Sequence, residues 1–404
     1  MTGRSHSVPG RILMLVTNLT FGGAETQVVR LATEFKARKW EVCVVSMIEP
    51  ETWVSQLTGA GVSVKTLRMP RRIPDPRAIT RLRSLVKAFA PDVVHCHMFH
   101  ANILGRITRL FCKMPALICT VHNFRETSER GGPTGYKEFL YRITDRMASI
   151  TTIICNAAFE RYVQVGAVPR ERLVVVPNGL DTEQFSPSAA RRERARKDLG
   201  FGSEFVWLAV GRLVKQKDYP NLFRALAKCE ARRFRVLIAG SGPLEAELKQ
   251  DCERLGLSTV VQFCGAREDV LDLYSAADAF VMSSEFEGLS VALLEAASMG
   301  LPAVVTDTGG NREIVTDGVT GFVVPPQDHS SLSQAMKRLM GTSIEDRKAM
   351  SEAARDHCLL NYRASDIVEK WVELYSRYSS TRSLGSTRSV EVAQDSALRK
   401  GLHE

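Results

Sequence analysis

The sequence predicts an α/β protein built from two consecutive doubly wound, Rossmann-like domains that face each other across a cleft. Short, near-continuously apolar strands alternate with helical segments, as in parallel sheets covered on both faces. The alternation breaks once, around Pro177-Asn178-Gly179-Leu180-Asp181, and then restarts. A length of 404 residues suits two cores of about 150–200 residues each better than one.

In order along the chain, RILMLV (11–16) reads as a strand rather than a leader segment, because its apolar run is short and leads into Gly- and Thr-rich loop residues. A Gly22-Gly23 turn follows, then a helix from Ala24 to about Arg38. EVCVVSM (41–47), VSVKTL (62–67), DVVHCHM (92–98), ALICTV (116–121) and TTIIC (151–155) are the further strands of the first series, with helical patterns from Pro76 to Phe89 and Ala101 to Phe111. A basic helical connector, RRERARKDLG, leads into FVWLAV (205–210), FRVLIAG (234–240), VVQFCG (260–265), AFVMSS (279–284) and AVVTDT (303–308). The Ser/Thr/Arg-rich stretch after about Tyr378 has the composition of a disordered tail. The expected division is 1–185 for the first domain, 186–362 for the second, 363–378 for a last helix and 379–404 for the tail.

Composition narrows the function classes. Hydrophobic residues make up 44% and charged residues 25%, as in ordinary folded proteins, and no apolar run approaches the ~20 residues that span a bilayer. The nine cysteines are scattered without a CxxC pair, which points to reduced thiols in a cytoplasmic protein. His95-Cys96-His97 is not a metal site by pattern, since Cys96 faces away from its neighbours and no second ligand pair follows. The net charge of +9 is lopsided: residues 1–180 hold 25 basic and 13 acidic residues (+12), which leaves −3 for the rest. The first half therefore meets an anionic surface, or its charge only keeps that half in solution. Clusters at Arg68–Arg72 and Arg106–Lys113 are the candidate contacts; the second is either the basic face of an amphipathic helix or a helix packed against the sheet, which explains its pattern equally well. Nucleic acid is not the expected partner, since no aromatics interleave the charges.

Ligands in open α/β sheets bind beyond the carboxyl ends of the strands, so the chemistry is sought there. Gly22-Gly23 is either a tight turn or a loop that lets a helix N-terminus approach an anion. Gly211-Arg212-Leu213-Val214-Lys215-Gln216-Lys217 follows the strand 205–210; it suits a diphosphate, or is a solvated basic loop. The turn Gly240-Ser241-Gly242-Pro243 is a second candidate for facing a phosphate or base. Glu287 ends a strand, Gly288-Leu289-Ser290 open a helix, and Glu295 stands eight residues on, a little over two turns along it. So placed, Glu295 could accept both hydroxyls of a ribose, although two surface glutamates have the same spacing.

This segment, Glu287-Gly288-Leu289-Ser290-Val291-Ala292-Leu293-Leu294-Glu295 followed by Gly300-Leu301-Pro302 and Gly309-Gly310-Asn311-Arg312-Glu313, resembles the E-x7-E signature of the retaining GT-B glycosyltransferase family 4. GGAE at 22–25, His122, Pro177-Asn178-Gly179, Gly211-Arg212 with Lys217, GSGP at 240–243 and Tyr274…Ala277-Asp278 fall in that family's order, over roughly residues 11–375, and HMFHAN (97–102) is loosely similar to members that build bacterial surface polysaccharides. The resemblance implies a last helix that crosses back to the first domain. It also implies roles. Arg212 and Lys217 would hold the donor diphosphate in place of a divalent ion, and Glu295 the ribose. Glu287, with the backbone of Gly288, Leu289 and Ser290, and His122 would face the transferred sugar. Gly22, Gly23, Gly211 and Gly242 would shape the donor loops. Ser290 stands where many members have glycine, and Asn123 where several have an acidic residue, which leaves the sugar open. The expected enzyme is a hexosyl- or N-acetylhexosaminyl-transferase that uses a UDP-sugar without a metal or other cofactor. Its expected acceptor is lipid-linked or a glycan, at the inner face of a membrane; the alternatives are a soluble acceptor and a non-catalytic nucleotide-sugar-binding subunit.

Overall fold

The structure, a computed structural model, describes residues 10–20, 22–71, 73–124, 135–229, 234–267 and 270–379. Seven strands form the first sheet: β1 (Arg11–Val16), β2 (Glu41–Ser46), β3 (Ser63–Thr66), β4 (Val93–His97), β5 (Ala116–Val121), β6 (Ile150–Ile153) and β7 (Leu173–Val175), in the order β3-β2-β1-β4-β5-β6-β7. Six form the second: β8 (Phe205–Val210), β9 (Phe234–Ala239), β10 (Val261–Gly265), β11 (Ala279–Met282), β12 (Ala303–Thr306) and β13 (Gly321–Val324), in the order β10-β9-β8-β11-β12-β13. Every pairing is parallel. The chain therefore reverses its winding between β1 and β4 in one sheet and between β8 and β11 in the other. Those two reversal points are where such sheets leave a crevice.

Two strands escape the sequence reading, β7 and β13. Both are sheet edges, of three and four residues, too short to show a period of their own. Elsewhere the strands start and end within a few residues of expectation. They read as apolar runs because both faces are covered: Ile12, Met14 and Val16 point to one core, Leu13 and Leu15 to another.

The last helix, Ala364–Ser379, crosses back to the first sheet, where Trp371 and Tyr375 pack with Phe35 and Trp40. Tyr375 stacks on Phe35 with ring centroids 5.2 Å apart, and its hydroxyl lies 2.6 Å from His95 Nδ1. The tail from residue 380 onward, and Arg72, lie outside the described residues.

One expectation fails at the helix Phe99–Arg109, which has no basic outer face. Arg106 is fully buried, with its guanidinium against Asp145 at 3.3 Å, Thr151 at 2.7 Å and Thr144 at 3.0 Å. Arg109 turns inward to the Met147 carbonyl, 3.0 Å away. Asp145, which pairs with both Arg106 and Arg172, supplies the buried partner that lets Arg106 turn inward, since a buried charge must be paired.

Candidate functional site

The two reversal points face each other, and the residues that join them are glycines packed backbone to backbone. A Cβ on Gly288 would stand 2.4 Å from the His122 carbonyl oxygen and 2.9 Å from Ile154 Cδ1, so the loop after β11 touches the end of β5 across the cleft. Gly23, which begins the helix Gly23–Ala37, faces Val291, the first residue of the helix Val291–Ser298. Within the second domain, Gly240 has φ +142°, and a Cβ there would lie 2.0 Å from the Gly211 carbonyl. Gly242 has Leu213 backbone atoms 2.4 Å from the equivalent point, and Leu213 N donates to Ser241 O at 2.9 Å. Only glycine permits this approach of the β8 and β9 loops. Gly211 and Gly242 thus shape one wall rather than offer separate contacts.

Lys217 is placed by a zipper of three bonds. Glu285 N donates to Gln216 O at 2.8 Å, Gln216 Nε2 to Phe286 O at 2.9 Å, and Ser283 Oγ to Lys217 O at 2.9 Å. These bonds tie the β8 loop to the β11 loop and set Lys217 Nζ 2.6 Å from Glu287 Oε1. Both side chains are largely buried, at 16% and 7% exposure. Arg212 is exposed at the mouth of the same wall and acts electrostatically on Glu25 of the first domain. Burial raises the Glu25 carboxyl above its usual range, against its own backbone hydrogen bond and the Arg212 charge. That carboxylate folds back over Gly22, at the N-terminus of the first helix, where an anion is favoured.

Glu295 lies on the helix Val291–Ser298, capped by the Ser290 hydroxyl 3.4 Å from Leu293 N, so serine here serves as a helix cap. The Glu295 carboxylate is 8% exposed; Oε2 lies 3.0 Å from the Tyr274 hydroxyl and Oε1 3.0 Å from Arg30 Nη2, which comes from the first domain. Burial pushes its pKa up, and Arg30 and Tyr274 oppose that shift.

His122, just past β5, is half-buried beside the buried His97, whose Nδ1 is 3.1 Å from His122 Nε2. Desolvation lowers the His122 pKa to about 4 and holds His95 and His97 well below the ordinary value. His122 is therefore a neutral hydrogen-bonding group, not a cation. His95 and His97 stack at 3.9 Å, and both His95 nitrogens are taken, by Tyr375 and Thr120. All nine cysteines are free thiols.

The structure thus brings together Gly22, Gly23, His122, Gly211, Arg212, Lys217, Gly242, Glu287, Gly288, Leu289, Ser290 and Glu295 around one cleft. Sequence reasoning missed Glu25 and Arg30. Glu25 stood in the quoted GGAE pattern without a role, and Arg30 sits on the first helix with nothing local to mark it. Asn178 is a third case: its Nδ2 donates to Leu289 O at 3.0 Å, which pins the interdomain linker to the signature loop.

Two doubly wound sheets facing a cleft, with the donor-side signature on the second, define a GT-B glycosyltransferase. The chain matches the descriptions "Glycosyl transferase 4-like domain" over residues 22–179 and "Glycosyl transferases group 1" over residues 191–357. It is 30% identical over 314 residues to the UDP-Gal:alpha-D-GlcNAc-diphosphoundecaprenol alpha-1,3-galactosyltransferase of Escherichia coli, across 75% of this chain and 80% of that protein. It is 27% identical over 321 residues to the putative glycosyltransferase EpsD of Bacillus subtilis, across 76% of this chain and 83% of the relative. Among solved structures, Anabaena HepE in complex with UDP-glucose superposes with a TM-score of 0.80 at 22% identity, over 91% of this chain and all of that one. This chain belongs to the group 1, family-4-like glycosyltransferases.

Proposed function

We propose that this chain is a retaining transferase that moves a hexose or N-acetylhexosamine from a UDP-sugar to a lipid-linked acceptor, without a metal. One observation carries the reading: exposed Arg212 and buried Lys217 stand on one wall of a cleft whose other features are two buried carboxylates and two helix N-termini. In this reading Arg212 and Lys217 hold the diphosphate and offset the charge that grows on it as the glycosidic bond breaks. Glu295 accepts the ribose hydroxyls, and Gly22-Gly23 closes over the phosphates. Glu287 and neutral His122 face the sugar. The leaving phosphate takes the acceptor proton, so no paired acid and base is required. The Escherichia coli relative is named for transfer from UDP-Gal to alpha-D-GlcNAc-diphosphoundecaprenol, and HepE was solved with UDP-glucose; both support the choice.

The acceptor side carries an apolar surface suited to a bilayer. Five of the ten large apolar residues exposed among those described lie on two successive elements of it: Tyr136, Phe139 and Ile143 along the helix Gly135–Thr144, and Leu110 and Phe111 just after the helix Phe99–Arg109. Lys113 and Arg146 are exposed on the same stretches of chain, while the Arg142 guanidinium is bonded to the Val165 and Gly166 carbonyls. No helix among the described residues is long and apolar enough to cross a membrane, so this surface would lie on the membrane, at the inner face of an anionic leaflet. Turnover of UDP-sugars with a polyprenyl-diphosphate glycan, together with co-sedimentation on anionic and neutral vesicles, tests both parts. Transfer only to soluble acceptors, or equal indifference to both vesicles, would replace the lipid-linked reading with the soluble one.

A further inference from the structure

Arg30 enters the donor-side carboxylate from the opposite domain. It stands on the helix Gly23–Ala37, and its Nη2 reaches Glu295 Oε1 at 3.0 Å; its guanidinium carbon lies 5.7 Å from the Phe185 ring, which shields it on one side. One turn earlier on the same face, Gln27 accepts a hydrogen bond from Gly179 N at 3.0 Å, which fixes that helix against the interdomain linker. An isolated carboxylate buried as deeply as Glu295 is strongly disfavoured, and among the described residues Arg30 is the one cation in ion-pair contact with it. The Tyr274 hydroxyl occupies the other oxygen. A carboxylate offers about four acceptor positions, so two remain for a ligand.

We propose that Arg30 is a positioning residue for nucleotide recognition: it pairs with Glu295 and aims its carboxylate from across the cleft, so the ribose site is complete only when the two domains meet. This rests on the reading that Glu295 meets the ribose and adds a residue that the family signature does not contain. Donor affinity then depends on domain closure, because the charge that Glu295 needs is delivered by the acceptor-side domain.

The remaining charged groups around Glu295 are committed elsewhere. On the helix Ile344–Asn361, Arg355 binds the Ser298 carbonyl and Cys358 the Leu294 carbonyl. Arg312 pairs with Asp307, Glu313 with Asn156, and Lys217 with Glu287. Glu34 lies one turn beyond Arg30 on its own helix, and both line a small cavity together with His97 and His122. Burial raises the Glu295 pKa, while the Arg30 charge and the bonds from Arg30 and Tyr274 hold it down. Loss of Arg30 therefore moves Glu295 toward the protonated form, which accepts poorly from two hydroxyls.

The test is calorimetric titration of UDP into wild type, Arg30→Met, Arg30→Lys and Glu295→Gln between about pH 6 and pH 8. Arg30→Met should bind UDP about tenfold more weakly near neutral pH and regain affinity as pH rises, more steeply than wild type. Arg30→Lys should retain most of the affinity and a flatter profile, and it decides the matter if the Met variant does not fold. An Arg30→Met loss of equal size at every pH would make Arg30 merely structural and overturn the proposal. So would unchanged affinity, or an Arg30→Lys variant as impaired as Glu295→Gln. Failure of wild type to bind UDP would instead overturn the donor reading, and unimpaired Glu295→Gln would overturn the ribose role.

Discussion

Removal of Lys217 should separate its structural role from its chemical one. Lys217 Nζ sits 2.6 Å from Glu287 Oε1, with 16% and 7% of the side chains exposed. Breaking a fully buried pair by deleting one partner costs about 3–5 kcal/mol, since the other charge is left unpaired. The partial exposure of Lys217 brings the expected loss for Lys217→Ala down to about 2–3 kcal/mol. For a domain of this size that is a fall of roughly 5–10 °C in Tm. Removing both partners should restore most of this stability, because no buried charge is then orphaned. It should not restore turnover. A fixed cation aimed at the departing diphosphate contributes about 3–4 kcal/mol to the transition state, so kcat should fall about 10²–10³-fold in both variants. Scanning calorimetry gives the stabilities, and release of the nucleoside diphosphate from the donor sugar nucleotide gives kcat. A double variant as unstable as Lys217→Ala, or a single variant that turns over normally, would refute the reasoning.

Acid should destabilise the fold early. His95 and His97 are buried and His122 half-buried, all with folded pKa values below that of free imidazole, about 4 for His122, so the unfolded chain binds more protons below pH 6.5. Stability should fall by up to about 1.4 kcal/mol per pH unit for each histidine as pH drops from 6.5 toward 4, and His122→Asn should flatten that slope in denaturant titrations. Gly288→Ala would put a methyl 2.4 Å from the His122 carbonyl and should hold the domains apart. A lower kcat with a near-normal Tm is expected, and normal turnover would show that this approach is dispensable. Treatment with EDTA should leave turnover intact if Arg212 and Lys217 neutralise the diphosphate; loss that manganese or magnesium restores would contradict the metal-free mechanism.

The strand series, the switch from one sheet to the other and the cleft-facing loops were legible in the sequence because parallel strands covered on both faces are unbroken apolar runs. The spacing of Glu287 and Glu295 was legible because a helix carries it. What local pattern cannot hold is pairing across a domain interface. Arg30 is 265 positions from Glu295, and only the folded chain shows that they meet. Arg106 reads as an outward basic residue until Asp145 and Thr151 are seen beneath it. The edge strands Leu173–Val175 and Gly321–Val324 are too short to announce themselves. His122 was singled out by its place in the family's motif order, but its lowered pKa comes from desolvation beside His97.

The central claim is that the cleft takes a nucleoside diphosphate, with its ribose on Glu295. Titration of UDP into wild type and Glu295→Ala at fixed pH and salt measures this most directly. The account predicts saturable binding by wild type and a loss of about 1.5–3 kcal/mol in the variant, roughly ten- to hundredfold in Kd, with the fold intact by circular dichroism. Equal affinity of the two proteins for UDP would contradict it.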